Sequence, residues 1–311
     1  MRFRRRAHLL RSFLLVLFAA GGASEMSSLV PAAPQNQPAA GGRVECGSVP
    51  SKMLAHSVRF CAVLPPSYDA HPGQRFPVLY WLHGLGQDEQ SFISAGGVAL
   101  LEDMRGQNRL GEFLIITPDA GRSFYLNSRD GDSRYEDFFI REFLPAMERR
   151  YRIEAGRATR GISGVSMGGF GALHFGLKYP QLFGSVSAHS AALMEKPPAA
   201  MTNGARLGFL EAVFGWPVDP AFWDRNSVFT AARHAHANES LKIYFDCGTA
   251  DDFGFDEGAQ ALDRLLTSRG IPHEFHVYPG GHGWGYFAKH LPASLEFHWK
   301  AFHAAQESSG P

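Results

Sequence analysis

The sequence has no excess of charge of either sign. Its 30 Lys and Arg balance 30 Asp and Glu, giving a formal net charge of +0. Without a long-range field, nothing draws in an anionic polymer, and no basic stripe with interleaved aromatics appears locally, so a nucleic-acid partner is excluded. Cysteine is scarce too, at three residues in 311. No Cys-x-x-Cys or paired Cys/His spacing occurs, which argues against a zinc site. A membrane span needs about 20 apolar residues in a row. The apolar stretch Leu9–Ala20 is broken by Arg11 and Ser12, so stable membrane insertion is not expected. Internal repeats are lacking as well. What remains is 45% hydrophobic residues, enough for a substantial core, with 25 Phe contributing to an aromatic content of 13%.

The first residues read as a targeting segment. Arg2, Arg4, Arg5 and Arg6 form a basic start, Leu9–Ala20 an apolar middle, and Gly21-Gly22-Ala23 the small residues of a cleavage site. Residues 1–23 are therefore expected to be an export signal, with a retained anchor as the alternative. Residues 24–42 carry Pro31, Pro34 and Pro38 among Ala, Gln, Asn and Gly, and read as a disordered spacer. The folded domain is expected over 43–306, with a disordered tail at 307–311. Export into an oxidising compartment would suit a disulfide between Cys46 and Cys61; two free thiols are equally compatible with the sequence. Cys247 ends an apolar strand and reads as a small buried filler.

From residue 54 onward, apolar runs alternate with helical periodicity. Strands are expected at 58–64, 76–82, 113–117, 158–163, 183–188, 241–247 and 274–278. Helices are expected at 135–151, 168–179, 255–268 and 286–304. Strand alternating with helix predicts an α/β fold with a mostly parallel central sheet covered on both faces. Residues 191–240 break that rhythm with four prolines, Pro197, Pro198, Pro217 and Pro220, and predict an irregular excursion over one end of the sheet.

Gly164-Val165-Ser166-Met167-Gly168 matches Gly-x-Ser-x-Gly, with a strand before it and a helix after it. That is the context of a nucleophile elbow, where flanking glycines remove the Cβ atoms that would clash in the turn. A serine hydroxyl needs a base. In this arrangement the acid and then the histidine follow the serine along the chain. His282, in the Gly-rich loop after the 274–278 strand, is the candidate base. The loop after the preceding strand, Cys247-Gly248-Thr249-Ala250-Asp251-Asp252, offers two adjacent carboxylates. One would orient His282, and the other would stabilise the turn or cap a helix. Backbone N–H groups of Met167 and of Leu85, in His83-Gly84-Leu85-Gly86, are the expected oxyanion donors.

Leu82–Gly86, Gly161–Ala172, Cys247–Asp252 and Gly280–Trp284 together resemble the esterase D-like family of α/β-hydrolases, over roughly residues 54–304. That family includes S-formylglutathione hydrolases, tributyrin esterases, feruloyl esterases and mycolyltransferases. The resemblance implies an α/β-hydrolase fold and a triad of Ser166, Asp251 and His282, with Leu85 and Met167 at the oxyanion. It also implies hydrolysis of a small-molecule or carbohydrate ester without cofactor or metal. S-formylglutathione hydrolases carry histidines where this chain has Val165 and Phe170. The stretch Pro118–Ser128 looks closest to the tributyrin and feruloyl branch, where this loop borders the substrate pocket, making Tyr125 and Asn127 candidate substrate contacts. Trp284 is a third candidate, from the export signal together with the aromatic supply. The alternatives are a mycolyltransferase-like acyltransferase, a thioesterase of the S-formylglutathione hydrolase type, and a non-catalytic carbohydrate-binding protein.

Overall fold

The computed structural model describes residues 42–198, 208–236 and 240–308. The expected export signal and residues 24–41 of the spacer lie outside the described residues, as do 309–311 of the tail.

Apolar runs without polar interruption become the middle of the sheet. The chain enters through an antiparallel pair, β1 (Arg43–Pro50) and β2 (Ser57–Leu64). Next come β3 (Val78–Leu82), β4 (Leu114–Pro118), β5 (Arg160–Val165) and β6 (Ser185–His189), each buried at every residue. Full burial is what a parallel strand covered by helices on both faces requires. β7 (Lys242–Gly248) and β8 (Glu274–Tyr278) complete an eight-stranded sheet in the order β1-β2-β4-β3-β5-β6-β7-β8. β2 also runs antiparallel to β4, and all pairings from β4 through β8 are parallel. This is the expected α/β architecture.

Some elements differ from the sequence expectation. β1 has no apolar run, and its burial alternates weakly; it is an edge strand held by its ladder to β2. Within that ladder Cys46 stands opposite Cys61, and the two form a disulfide. Two helices, α1 (Ser91–Ser94) and α2 (Gly97–Gly106), lie between β3 and β4. The expected helix at 135–151 is α3 (residues 135–150), which holds a π-helical turn at Phe139–Phe143 between two α segments. α4 (Met167–Lys178) follows β5 directly and is buried from Met167 to Leu177. The excursion over 191–240 contains three short helices among its described residues: α5 (Gly208–Phe214), α6 (Pro220–Asn226) and α7 (Val228–His234). α8 (Phe255–Ser268) and α9 (Trp284–Ser308) close the fold, α9 running two residues past the expected domain end.

One buried carboxylate braces α3 to α4. Glu136 receives His174 Nε2 at 3.2 Å and Lys178 Nζ at 2.6 Å, and the Tyr179 hydroxyl also donates to it. Burial alone would raise its pKa, but His174 and Lys178 outweigh that and hold it at about 2 instead of 4.5. A carboxylate whose pKa is depressed by folding stabilises the native state above its unfolded value, and that stability is lost as pH falls through the folded value. The melting temperature is therefore expected to fall between pH 4.5 and about 2. In Glu136→Gln it should start lower and fall less over that window, as measured by calorimetry; an identical slope in the variant would contradict the assignment.

Candidate active site

β5, α4 and the loop between them set the first group. Ser166 sits between strand and helix at φ 54° and ψ −119°, a conformation that β-carbon residues rarely adopt. The crossing is tight enough to dictate its neighbours. A Cβ on Gly164 would lie 2.5 Å from the Gly168 backbone, and one on Gly168 would lie 2.0 Å from Leu82 O. Three backbone bonds hold the turn: Ser166 N–H donates to His189 O at 2.9 Å, and Ser166 O accepts from Phe170 and Ala192, each at 3.0 Å.

The other two groups arrive on the loops after β7 and β8. His282 Nε2 stands 2.9 Å from Ser166 Oγ, and its Nδ1 stands 2.8 Å from Asp251 Oδ2. An ionised carboxylate only accepts, so Nδ1 carries the proton and Nε2 faces the serine hydroxyl as an acceptor. Burial works to raise the Asp251 pKa. The hydrogen bond and charge of His282, with the Phe253 and Phe255 N–H groups, outweigh it and keep the carboxyl below its ordinary value. Phe253, Phe255 and Phe287 stand edge-on around the imidazole, at centroid distances of 4.7, 5.5 and 5.6 Å.

Of the two adjacent carboxylates, only Asp251 reaches the ring. Asp252 is exposed. The turn-stabilising task expected of the second carboxylate also falls to Asp251: its Oδ1 accepts from Phe253 N–H at 3.0 Å. The α8 N-cap is Gly254, which has no side chain to cap with.

Met167 N–H opens α4, where the first turn has no preceding helical carbonyl to meet. Leu85 lies in the loop after β3, which packs directly on the serine: a Cβ on Gly84 would be 3.5 Å from Ser166 Cβ. That loop is braced by His83, for which the motif itself predicts no role. His83 Nδ1 lies 2.8 Å from Gly84 O, and a carbonyl can only accept, so Nδ1 is the protonated nitrogen. Its Nε2 then accepts the Ala120 N–H at 2.9 Å.

Two of the expected substrate contacts are placed elsewhere. Tyr125 is fully buried, with its hydroxyl donating to His83 O at 2.9 Å, so it supports the Leu85 loop from behind. Asn127 uses both ends of its amide on Asp137, accepting from the backbone N–H and donating to the carboxylate, each at 3.1 Å. Trp284 is half-buried beside the His282 loop, and its indole N–H donates to Ala95 O at 2.9 Å. Two large apolar side chains are exposed near the triad: Leu85 is 37% exposed and Phe253 57%. A cavity of about 560 Å³ opens at the same sheet edge over β2 and β4, between Arg59, Arg122, Leu126 and Tyr135, and includes none of the three triad residues.

The serine, histidine and carboxylate thus form one hydrogen-bonded line that can move a proton from Ser166 Oγ to His282, with α4 pointing its positive end at the serine. The family model described as "Putative esterase" matches residues 51–298. The chain belongs to that esterase family. Esterase Rv1288 of Mycobacterium tuberculosis (strain ATCC 25618 / H37Rv) is 31% identical over 239 residues, covering 71% of this chain and 51% of that protein. This esterase-family chain therefore spans about half the length of the mycobacterial relatives it matches. The acetyl esterase of Caldicellulosiruptor saccharolyticus is 27% identical over 265 residues, covering 79% of this chain and 94% of that protein. A solved ferulic acid esterase superimposes with a TM-score of 0.73 at 27% identity, covering 84% of this chain and 99% of the other.

The geometry separates the two carboxylates of this esterase-family chain by experiment. Asp251→Asn should lower kcat by on the order of 10⁴, the cost of losing the acid in a comparable triad. Asp252→Asn should leave kcat near native. Steady-state rates on one activated ester, with folding checked by circular dichroism, decide it; loss of activity confined to Asp252→Asn would overturn the assignment.

Proposed function

We propose that this chain is an exported serine hydrolase of carboxylic esters, with Ser166 as nucleophile, His282 as general base and Asp251 as the acid that orients it. The observation carrying this reading is the continuous line from Asp251 Oδ2 through His282 to Ser166 Oγ, at 2.8 and 2.9 Å. Ser166 Oγ attacks the acyl carbon while His282 Nε2 takes the hydroxyl proton. Negative charge collects on the former carbonyl oxygen, facing the N–H groups of Leu85 and Met167. The bond to the alcohol breaks, His282 returns the proton to the leaving oxygen, and the acyl group stays on Ser166. Water then repeats the sequence: His282 removes its proton, the hydroxyl adds to the acyl carbon, and Ser166 leaves with the proton returned. Asp251 stays ionised throughout and balances the imidazolium.

The relatives named acetyl esterase and ferulic acid esterase support an acyl group that is either small or aromatic. The exposed apolar side chains of Leu85 and Phe253 beside the triad suit an apolar acyl group. Export is supported by the basic and apolar pattern of residues 1–23 and by the Cys46–Cys61 disulfide, a bond that persists in oxidising compartments. Among the described residues no helix is long and apolar enough to cross a membrane.

Purified protein should release a burst of aryl alcohol from an activated ester and then turn over, and Ser166→Ala should lose on the order of 10⁶ in kcat. Comparing acetyl-sugar, short-acyl and feruloyl esters assigns the acyl class. No hydrolysis of any of them, or undiminished hydrolysis by Ser166→Ala, would refute the reading. For export, intact mass of the secreted form should place the mature start after about Ala23; a full-length form confined to the cytosol would contradict it.

A further inference from the structure

Beneath the proposed triad lies a second Ser–His–Asp arrangement. His189 Nδ1 donates to Asp246 Oδ2 at 2.7 Å, and His189 Nε2 stands 2.8 Å from Ser294 Oγ. No substrate reaches it, since His189, Asp246 and Ser294 are all fully buried. Its use lies in what it joins. The remaining oxygen of Asp246, Oδ1, accepts the Tyr286 hydroxyl at 2.7 Å.

Each arm of this cluster leads to one member of the triad. The His189 carbonyl accepts the Ser166 N–H, so β6 ends directly under the nucleophile. Asp246 belongs to β7, whose following loop carries Asp251. Its own carbonyl accepts the Ser190 N–H at 2.8 Å, tying β7 back to the residue after His189. Tyr286 stands in the first turn of α9, just past His282.

The His282 loop makes that last connection matter. Its residues include Gly280, Gly281 and Gly283, so the loop backbone has little stiffness of its own. Besides the Asp251 bond to the ring, its position comes from Gly280 O, which accepts the Ala250 N–H at 2.8 Å, and from its two ends. Upstream the end is β8, where Tyr278 pairs with Gly248. Downstream it is α9, fixed by the Trp284 indole on Ala95 O and by the Tyr286 hydroxyl on Asp246. The Tyr286 ring also lies against the loop: a Cβ on Gly280 would come within 2.6 Å of Tyr286 Cδ2.

We propose that Asp246 and Tyr286 are positioning residues for the esterase reaction, their buried hydrogen bond setting where His282 stands relative to Ser166. His189 secures the Asp246 carboxylate from the other side. Burial pushes the Asp246 pKa up, but the charge and hydrogen bond of His189 and the Tyr286 hydroxyl bring it below its ordinary value, so the anchor is an anion. An anion in that setting needs its partners, which makes the latch strict in geometry. Displacements of about 1 Å in a reacting group cost on the order of 100-fold in rate.

This inference rests on the serine-esterase reading, and the test keeps the two apart. If the wild-type chain gives no burst on an activated ester, that reading has failed. With an active wild type, full-length Tyr286→Phe keeps the ring and removes only the hydroxyl. The expected result is kcat lowered by about tenfold to a hundredfold, KM essentially unchanged, and organophosphonate labelling of Ser166 slowed in parallel. A variant that melts earlier yet keeps native kcat, or changes only KM, would overturn the proposal, since a merely structural bond behaves that way. Should Tyr286→Phe not fold, Gly280→Ala retains the hydroxyl and crowds the ring instead. It is expected to lower kcat with KM unchanged, and native kcat there would equally overturn the proposal.

Discussion

Ser166 holds φ 54° and ψ −119°, a backbone state that costs on the order of 1–3 kcal/mol for a residue with a Cβ. The surroundings enforce it. β5 is paired on both sides, to β3 and β6, and α4 begins at the very next residue, so the chain must reverse within the space of one residue. Gly164 and Gly168 pass each other and Leu82 so closely that no side chain fits at either position. With the reversal imposed, the serine hydroxyl is presented at the carboxyl edge of the sheet, and the loops after β3, β7 and β8 converge on it.

That convergence is maintained from below by polar groups in a part of the molecule where apolar residues are the rule. Ser163, Ser185, Ser187 and His189 line β5 and β6 and are fully buried. Their partners come mainly from α9: His298 bonds Ser185 at 2.7 Å and Ser187 at 2.9 Å, and Ser294 bonds His189 at 2.8 Å. Burial lowers the His298 pKa to about 3, so this ring is neutral and works as a bridge between hydroxyls. Small hydroxyl-bearing side chains let the helix approach the sheet, and the hydrogen bonds fix the register in which it does so. A greasy interface would bury area equally well without specifying that register.

Much of the fold was readable in the chain. The run at 76–82 announces a doubly covered strand, and the alternation of such runs with helical periodicity leads to the parallel sheet. Ser166 and His282 could be picked out because each follows a strand, in chain order, in a loop of glycines, and the family resemblance pointed to Asp251 in the acidic pair between them. What escaped reading depends on distant partners. β1 carries no apolar pattern because its ladder and disulfide to β2 hold it. Tyr125 sits in a polar-looking loop yet is wholly buried, because Gly171 of α4 leaves room for its ring and His83 O accepts its hydroxyl. Asp246 and His189 sit in ordinary strand segments, and nothing local pairs them. Adjacent carboxylates likewise look alike in a sequence; the backbone of the turn decides that Asp251 faces inward and Asp252 outward.

The central claim is that an ester passes its acyl group through Ser166. Rapid acid quench of the protein with an activated aryl ester, followed by peptide mapping, tests it directly. One added acyl mass is expected on the peptide containing Ser166 during the burst. Product formation with that peptide unmodified and the acyl group on a different residue would contradict it.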